Sequence, residues 1–415
     1  MTDIPRGRRP GRSRTIDDLP FLSVVSAEYT ADPQPRLRRL TSEGHDLART
    51  ERGVEVLSYA ACEALVKDTA LSPGLDLMVE ACGIDDQDIV RLYAENMQTV
   101  SGRAHARLRQ AVAPYFSDSY LESHRRYVRE LVDRLIDEGS RGGEIEFVGS
   151  VAGQIGSHFF TRLLDVDEEH WPTIARLSDA NVKIFYMDES LREEIVTSFA
   201  ETRELLDKFM ADKRQNPGDD MLSGLLRAEA RGDLTDDEIF GLIFILLVGS
   251  TDTTQSQLCL MVDALGRNPD QLERLRADPE SLARSTILES ARWRPGVWTV
   301  PRFAASAGRL ADLEYEAGTI LFANVASANR DPEVFEDPDR FDVTRQSASP
   351  PFNWSRGEHF CIGRPLALLE MEEALKSLLS RWDGWELAGP LETHGQPDAL
   401  SIDRMPLRVS TSSAD

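Results

Sequence analysis

Hydrophobic residues recur at helical spacing along most of this chain, and the pattern predicts a mainly α-helical protein. Apolar positions repeat every three to four residues in several segments bounded by polar or turn-forming residues. A helix ending at Trp293 should stop there because Pro295 follows it. The segments that predict amphipathic helices are residues 102–116, 119–138, 147–164, 191–213, 219–231, 279–293 and 364–382.

Shorter segments predict a smaller β-rich region. Beyond Arg302 strand and turn signals dominate, and turn-forming residues are dense over 328–342. Residues 75–100 follow no clean period and predict a loop with short helical turns. The clearest strand-like segments are residues 53–57, 400–402 and 407–409. No internal repeat and no Pro/Gly/Ser-rich linker divides the chain.

The longest predicted helix runs from about Thr235 to Arg267. Thr235 is its N-cap, and Glu238 completes a capping box. Two apolar stretches in this helix are separated by small or polar residues, from Ser250 to Gln257. A polar belt inside a buried helix is costly unless it is used. A solvated face, or ordinary hydroxyl bonds back to the helix, is the alternative interpretation.

Composition excludes several classes of protein. The chain has 415 residues, 41% of them hydrophobic, as in a soluble globular protein. A net charge of −24 argues against a nucleic-acid partner. The four cysteines form no CxxC pair, so neither a zinc site nor a disulfide framework is indicated, and a reducing cytoplasm is the expected compartment.

The N-terminus differs in charge from the rest of the chain. Arginines cluster with Pro5 and Pro10, which predicts a disordered tail over residues 1–19. No apolar signal core follows Arg8-Arg9, so export is not expected. The longest apolar stretch, 240–248, is too short to span a bilayer, and no membrane anchor is predicted.

A cysteine between two glycines stands just before the helical segment 364–382. The stretch reads Trp354-Ser355-Arg356-Gly357-Glu358-His359-Phe360-Cys361-Ile362-Gly363. Backbone N–H groups at a helix N-terminus favour a thiolate, and a thiolate sulfur binds metals. The two glycines let the backbone fold tightly around the sulfur. For this residue alone, a buried structural cysteine is the alternative.

This stretch resembles the haem-binding loop of the cytochrome P-450 family, in which a cysteine thiolate is the proximal iron ligand. The Gly-x-His-x-Cys-x-Gly spacing matches, whereas the family usually has Phe-Gly in place of Trp354-Ser355. The resemblance implies the cytochrome P-450 fold, mainly α with a smaller β-rich region. It also implies haem b as cofactor, Cys361 as its metal ligand, and a single haem-thiolate monooxygenase domain of the soluble bacterial type over residues 20–415.

The same resemblance assigns catalytic roles on the long helix. Asp252-Thr253 is similar to the family's acid–alcohol pair, which relays protons to the reacting dioxygen and needs an acid connected to solvent. Gly249 and Ser250 stand where the family usually has Ala-Gly. The Ser250 hydroxyl would either support the relay or narrow the oxygen groove.

Further positions match the family's structural and cofactor-binding residues. Glu289 and Arg292 share a helix face, and by resemblance they form a structural triad with Arg340. Buried haem carboxylates need cationic or hydrogen-bonding partners. The residues at matching positions are His105, Arg109, Arg302 and His359. For each of these residues taken alone, a surface cation is the favoured interpretation, whereas the four together at the family's spacing favour haem-carboxylate partners.

Electrons must come from another protein, because no flavin or dinucleotide fingerprint is present. By resemblance the donor is a ferredoxin or flavodoxin-like protein with its reductase. A basic surface for an acidic donor is one hypothesis, and scattered solvated arginines are the alternative. The arginines concerned are Arg103, Arg107, Arg356 and Arg364.

The substrate is expected to be a mainly hydrophobic small organic molecule, although core packing explains the same residues. Pocket candidates by family position are Ile245, Val248, Thr251, Val297, Trp298 and Leu400. Residues 75–100 add Met78, Ile84, Leu92, Tyr93 and Met97.

The predicted function is dioxygen activation at a Cys-ligated haem and substrate oxidation in bacterial secondary or catabolic metabolism. Within the fold, coupling, cyclisation, desaturation or nitration are alternatives. A haem-based sensor or carrier without turnover, or a helical scaffold with coincidental motifs, would be proteins of another class.

Overall fold

The computed structural model describes residues 13–140, 142–396 and 398–410. The predicted disordered tail covers residues 1–19, of which 1–12 lie outside the described residues. The predicted boundary at residue 19 is wrong, because residues 14–18 are part of the fold. Arg14 forms ion pairs with Asp46 and Asp312, and Ile16–Asp18 is a 3-10 helix.

Helices make up most of the described chain, as the hydrophobic pattern predicts. In chain order they are α1 (Ala27–Ala31), α2 (Gln34–Ser42), α3 (Tyr59–Lys67), α4 (Leu75–Ala81), α5 (Gln87–Glu95), α6 (Gly102–Val112), α7 (Asp118–Gly139), α8 (Gly153–Leu164), α9 (Trp171–Val182), α10 (Arg192–Gln215), α11 (Met221–Ala230), α12 (Asp236–Ser250), α13 (Asp252–Arg267), α14 (Pro269–Ala277), α15 (Pro279–Trp293), α16 (Val325–Ala328) and α17 (Arg364–Arg381).

The strands are short, and within the described residues they form four small sheets. They are β1 (Leu47–Arg49), β2 (Val54–Val56), β3 (Leu71–Ser72), β4 (Glu144–Glu146), β5 (Thr299–Ala304), β6 (Gly308–Leu310), β7 (Leu313–Tyr315), β8 (Ile320–Asn324), β9 (Gly384–Leu387), β10 (Glu392–Gln396), β11 (Ala399–Arg404) and β12 (Pro406–Ser410). The largest sheet has the order β1-β2-β8-β5-β3, and the others are β4-β12-β9, β6-β7 and β10-β11.

The chain divides into two compact units, which we call the sheet unit and the helical unit. The sheet unit contains the described parts of residues 1–74, 288–361 and 395–400. The helical unit contains residues 75–287, 362–394 and the described part of 401–415. Cys361 is thus the last residue of one segment of the sheet unit, three positions before α17 begins.

The core of the sheet unit forms around the five-stranded sheet. β2 pairs with β8 in parallel, with Val54 opposite Leu321, and all three residues of β2 are buried. The middle residue of this strand is a buried acid, Glu55, whose carboxylate accepts hydrogen bonds from Arg52 and Asn324. Side chains of this strand pack with Tyr59, Phe335 and Phe352, which place α3 and the segment before the cysteine loop against the sheet.

The core of the helical unit contains α12 and α13, whose residues Ile239–Val248 and Ser256–Leu265 are buried. α17 packs on α7, and the fully buried carboxylate of Glu373 on α17 pairs with Arg125 and Arg129 on α7. A buried carboxylate with two guanidinium partners fixes the register of these two helices.

Two predicted elements differ from the structure. Residues 75–100, predicted as a loop with short helical turns, contain two short helices, α4 and α5. The N-cap of α5 is Asp86, whose side chain accepts hydrogen bonds from two backbone N–H groups. The predicted helix from Thr235 to Arg267 is interrupted at Thr251. Its capping box is confirmed, with the Thr235 hydroxyl and Glu238 carboxylate bonded to each other's backbone.

The segment Asp236–Arg267 is, among the described residues, the one helical segment long and apolar enough to cross a membrane. The predicted apolar stretch, residues 240–248, is too short to span a bilayer, but the helical segment that contains it continues beyond residue 248. Of the most apolar window in this segment, 67% is buried inside the protein, which is typical of a core helix.

Candidate active site

The interruption between α12 and α13 is fixed by contacts from two neighbouring helices. Thr251 is buried and has φ −104° and ψ −72°. Its hydroxyl lies 2.5 Å from that of Ser178 on α9, which itself donates to the Leu247 carbonyl over 3.0 Å. A Cβ on Gly156 of α8 would lie 2.5 Å from the Ser250 carbonyl oxygen, so only glycine permits this approach.

The acid of the predicted acid–alcohol pair is held at the start of α13. Asp252 Oδ2 accepts a hydrogen bond from the Ser401 hydroxyl over 3.0 Å, and Oδ1 accepts one from Ser256 over 3.5 Å. Burial raises the pKa of Asp252 above its ordinary value, and the Ser401 bond offsets part of this rise. The carboxyl therefore keeps a proton to higher pH than a solvated aspartate.

The alcohol of the pair, Thr253, is exposed and donates over 3.4 Å to the carbonyl of Gly249. A Cβ placed on Gly249 would meet no atom within 4 Å, so open space adjoins the helix one turn before Thr253. The Ser250 hydroxyl donates to the Leu247 carbonyl over 2.9 Å. The hydroxyl is thus engaged with its own helix.

The cysteine loop is closed by backbone hydrogen bonds inside the sheet unit. The Cys361 N–H donates to the Trp354 carbonyl over 3.0 Å, and Phe360 N–H donates to Gly357 over 3.2 Å. Gly357 needs its glycine, with φ 74°. Gly363 has an ordinary φ of −76°, so the prediction that it too provides unusual backbone freedom is wrong.

Among the four cysteines, Cys361 alone is exposed. Burial raises the pKa of Cys62, Cys82 and Cys259, so these three remain thiols at neutral pH. Cys361 is therefore the cysteine whose sulfur is accessible to a ligand from outside the protein.

Ser355, where the family usually has glycine, carries backbone strain. It has φ 59° and ψ −162°, a region that is essentially restricted to glycine. Its hydroxyl is buried and has no hydrogen-bond partner. The departure from the family pattern thus places a strained residue beside Trp354, whose carbonyl accepts the hydrogen bond from the Cys361 N–H.

Arg302 is a buried arginine that has no acidic partner among the described residues. It is 3% exposed, and its guanidinium donates to the backbone carbonyls of Pro301 and Val66 over 2.8 and 3.3 Å. No carboxylate forms an ion pair with it among the described residues. Burial lowers its pKa to about 10. A buried guanidinium without a counter-ion fits a haem carboxylate, which would supply the missing charge.

The other predicted haem-carboxylate partners are divided between the two units. His105 is buried and Arg109 partly buried, one turn apart on α6 in the helical unit. His359 is partly buried in the cysteine loop. The sheet unit thus holds Arg302, His359 and Cys361, while the helical unit holds the remaining cofactor and catalytic candidates.

The predicted triad exists, but its third member is wrong. Arg292 donates to both carboxylate oxygens of Glu289 over 2.7 and 2.8 Å, and both side chains are buried. The Arg340 side chain points elsewhere and pairs with Asp342. Arg345 supplies the second guanidinium, with its Nε 3.1 and 3.0 Å from the two oxygens of Glu289.

Arg340 contributes its backbone instead, because its carbonyl accepts from Arg292 over 3.0 Å. Arg340 lies within the turn-rich segment and Arg345 follows it five positions later, and sequence spacing does not show which of the two side chains contacts the Glu289 carboxylate. Burial distinguishes the two arginines. The Arg345 side chain, which pairs with Glu289, is 12% exposed, and the Arg340 side chain is 55% exposed.

The pocket candidates separate into two groups. Val297 bridges to Ala399, and the Leu400 N–H donates to the Gly296 carbonyl over 2.8 Å, so these candidates lie together in the sheet unit. Trp298 is a core residue, because its indole donates to the Pro295 carbonyl and its ring packs edge-on against Tyr29. In the helical unit, Ile245, Val248, Met78, Ile84, Tyr93 and Met97 are buried.

A cleft of about 400 Å³ in the helical unit is lined by Leu92, Met97, Phe199 and Phe240 with a charged rim. None of Ile245, Val248, Asp252 or Thr253 lines it. This cleft is therefore separate from the acid–alcohol pair.

The predicted basic patch is weaker than its sequence suggests. Arg107 forms a two-bonded ion pair with Glu238, which neutralises its charge. Arg356 turns towards the Tyr59 hydroxyl and the carbonyls of Pro350 and Pro351. Arg103 is exposed and Arg364 partly exposed.

Comparison with known proteins identifies relatives over most of the chain. The family model for cytochrome P450 matches residues 163–390. The chain is 29% identical to luteothin monooxygenase of Streptomyces thioluteus, covering 94% of this chain and 96% of that protein. It is 33% identical to 6-deoxyerythronolide B hydroxylase of Saccharopolyspora erythraea, covering 85% of this chain and 89% of that protein.

Among solved structures, epothilone B-bound cytochrome P450epoK aligns with a TM-score of 0.87 at 26% identity, covering 94% of this chain and 100% of that one. Fold and site together define a haem-thiolate monooxygenase. The chain belongs to the cytochrome P450 family. It is an oxidoreductase that binds haem b and uses an organic substrate, dioxygen and redox partners.

Proposed function

We propose that this protein oxidises a mainly hydrophobic small organic molecule in bacterial secondary or catabolic metabolism. The acid–alcohol pair at the helix interruption, beside the open space at Gly249, carries this proposal. The relatives named above act, by their names, on luteothin and 6-deoxyerythronolide B, and they support a substrate of natural-product type. We place the protein in the cytoplasm, with both units acting as one haem-thiolate domain.

In this proposal Cys361 is the metal ligand, and the cationic and histidine side chains hold the haem carboxylates. Arg302 is the best supported of these, because its buried charge lacks a protein counter-ion. When bound, haem supplies the iron centre at which dioxygen is activated. The cofactor-binding residues are His105, Arg109, Arg302, His359 and Cys361.

Asp252 and Thr253 are the proposed catalytic residues. Asp252 holds a proton at its carboxylate, where burial raises its pKa. Thr253 is the exposed hydroxyl next to it and passes the proton onward. The structural triad of Glu289, Arg292 and Arg345 fixes the sheet unit and takes no part in chemistry.

We further propose that a ferredoxin or flavodoxin-like protein, with its reductase, supplies electrons. An acidic donor is favoured by positive charge at Arg103 and Arg364 in the helical unit. Arg107 is not part of that surface, because Glu238 neutralises it.

Thr253→Ala tests the catalytic assignment, with Thr254→Ala as the matched control. We expect the Thr253 variant to consume NADPH through a surrogate ferredoxin and reductase while releasing more hydrogen peroxide per NADPH than the wild type. The control should behave like the wild type. Unchanged peroxide release would remove Thr253 from the relay. A protein that consumes no reducing equivalents with any compound would instead be a sensor or carrier.

A further inference from the structure

A line of polar side chains runs from solvent to Asp252 within the helical unit. His394 on β10 and Asp403 on β11 lie 2.6 Å apart, from Nδ1 to Oδ1. The other ring nitrogen of His394, Nε2, is hydrogen-bonded to the Tyr186 hydroxyl. Ser401 on β11 donates to Asp252 over 3.0 Å, and its side chain acts on the Tyr186 hydroxyl so as to lower the pKa of that tyrosine.

The outer end of this line is in water and its inner end is not. The side chains of His394 and Asp403 are 39% and 48% exposed, whereas Ser401 is buried. Burial raises the pKa of both Tyr186 and Asp252. Protons can therefore be exchanged with solvent at one end and delivered to a partly desolvated carboxylate at the other.

Asp403 determines which nitrogen of His394 faces the line. Its carboxylate accepts a hydrogen bond from Nδ1–H, so a neutral imidazole presents an unprotonated Nε2 to Tyr186. After uptake of a solvent proton, Nε2–H donates to the tyrosine oxygen. The tyrosine O–H then points to Ser401, and the Ser401 O–H points to Asp252, so all donors point inwards.

We propose that His394, oriented by Asp403, and Tyr186 form the outer part of a proton relay that reaches Asp252 through Ser401. This inference rests on the proposed function, because it gives Asp252 a source of protons.

The transfer is balanced along the line. The Nε2–H bond breaks as a tyrosine O–H bond forms, and the original tyrosine proton moves to the Ser401 oxygen. The original Ser401 proton moves to Asp252. Imidazolium thus becomes imidazole, carboxylate becomes carboxylic acid, and neither hydroxyl retains a charge.

Other charged groups surround the inner end of the relay. Asp179 on α9 faces Asp252, and desolvation together with the charge of Asp252 raises the pKa of Asp179 to about 6, while Lys183 acts in the opposite sense. The charges of Asp252, Asp403 and Asp179 all disfavour ionisation of Tyr186. This net negative surrounding favours the inward movement of a proton and opposes a tyrosinate.

A first test measures protonation of Asp252 without turnover. Infrared difference spectra of the haem-loaded protein show the C=O stretching band of protonated carboxyl groups. The band that is lost in Asp252→Asn is assigned to Asp252. Because His394 lowers the pKa of Asp252 by its charge, His394→Gln should move the band's pH midpoint upward. An unmoved midpoint would break the proposed link between the two residues.

The second test measures dioxygen consumption by the holoenzyme with NADPH and a surrogate ferredoxin and reductase. His394→Gln and Tyr186→Phe should slow consumption roughly tenfold or more, raise the solvent deuterium isotope effect and flatten its dependence on pH. His45→Gln is the matched control, since its side chain is 37% exposed and also lies beside an acid. Asp403→Asn should give an intermediate loss.

The outcomes separate this inference from the proposed function. Full rates in His394→Gln and Tyr186→Phe, with a slow Asp252→Asn, would overturn the relay and leave the acid–alcohol pair in place. Full rates in all three variants would overturn both. In every variant, the reduced carbon monoxide spectrum must match the wild type, which shows that the haem site is intact.

Discussion

Replacing Arg345 with alanine should destabilise the sheet unit far more than replacing Arg340. The Arg345 guanidinium bonds to both oxygens of Glu289 and to the carbonyls of Glu336, Asp337 and Arg340. These contacts join the end of α15 to the turn-rich segment after α16. The Arg340 side chain has one ion-pair partner, Asp342, and is 55% exposed.

The magnitude follows from what Arg345→Ala leaves behind. Glu289 would stay buried but keep Arg292 and the Asp342 N–H, 2.9 Å away. Removing one partner of a fully buried ion pair costs about 3–5 kcal/mol. Since Glu289 keeps one cation, we expect a loss of about 2–3 kcal/mol for Arg345→Ala. Arg340→Ala should cost about 0–1 kcal/mol, as for an exposed pair.

Urea unfolding of the haem-loaded variants, followed by far-UV circular dichroism and by the haem absorption band, measures both losses. Arg345→Lys is a useful third variant, because a lysine keeps the charge but loses the forked geometry. It should lie between the wild type and the alanine variant. Equal losses in Arg345→Ala and Arg340→Ala, or a larger loss in Arg340→Ala, would refute the corrected triad.

Two further predictions concern strain and pH. Ser355→Gly should stabilise the protein by about 1 kcal/mol, because it removes a positive-φ residue and an unpartnered hydroxyl; urea unfolding measures this, and Ser355→Ala, which keeps the strain, should gain less. Burial raises the pKa of Glu370 to about 8. Its folded pKa thus exceeds the unfolded one, so stability is lost as pH rises through about 4.5 to 8, at up to ~1.4 kcal/mol per pH unit. Glu370→Gln should remove this slope in unfolding measured across that range, and an unchanged slope would contradict the assignment.

The hydrophobic pattern predicted most of the helices because amphipathic periodicity is a local property. The apolar stretch before residue 249, the capping box at Thr235 and the helix after Cys361 were all readable in this way. The interruption at Thr251 could not be predicted from the sequence, because it depends on contacts with Ser178 and Gly156. These residues belong to two helices that are distant in sequence but adjacent in space. Residues 75–100 predict only a loop with short helical turns, because their polar and glycine positions obscure the periodicity of two short helices.

Sequence motifs located the site, but not all of its contacts. Cys361, Glu289 and Arg292 were found from spacing within a few residues. Arg345 was missed because a family position favoured Arg340, and only tertiary burial distinguishes the two. Tyr186 and His394 were missed because 208 positions separate them, and neither lies in a recognisable motif.

The central claim is that the Cys361 thiolate holds the haem iron. The absorption spectrum of the purified, reduced protein with carbon monoxide tests it most directly, with Cys361→Ala beside a Cys259→Ala control. We predict the strongly red-shifted Soret band of thiolate-ligated haem in the wild type and the control, and its loss in Cys361→Ala. Folded wild-type protein that takes up no haem, or that binds haem without this band, would contradict the claim.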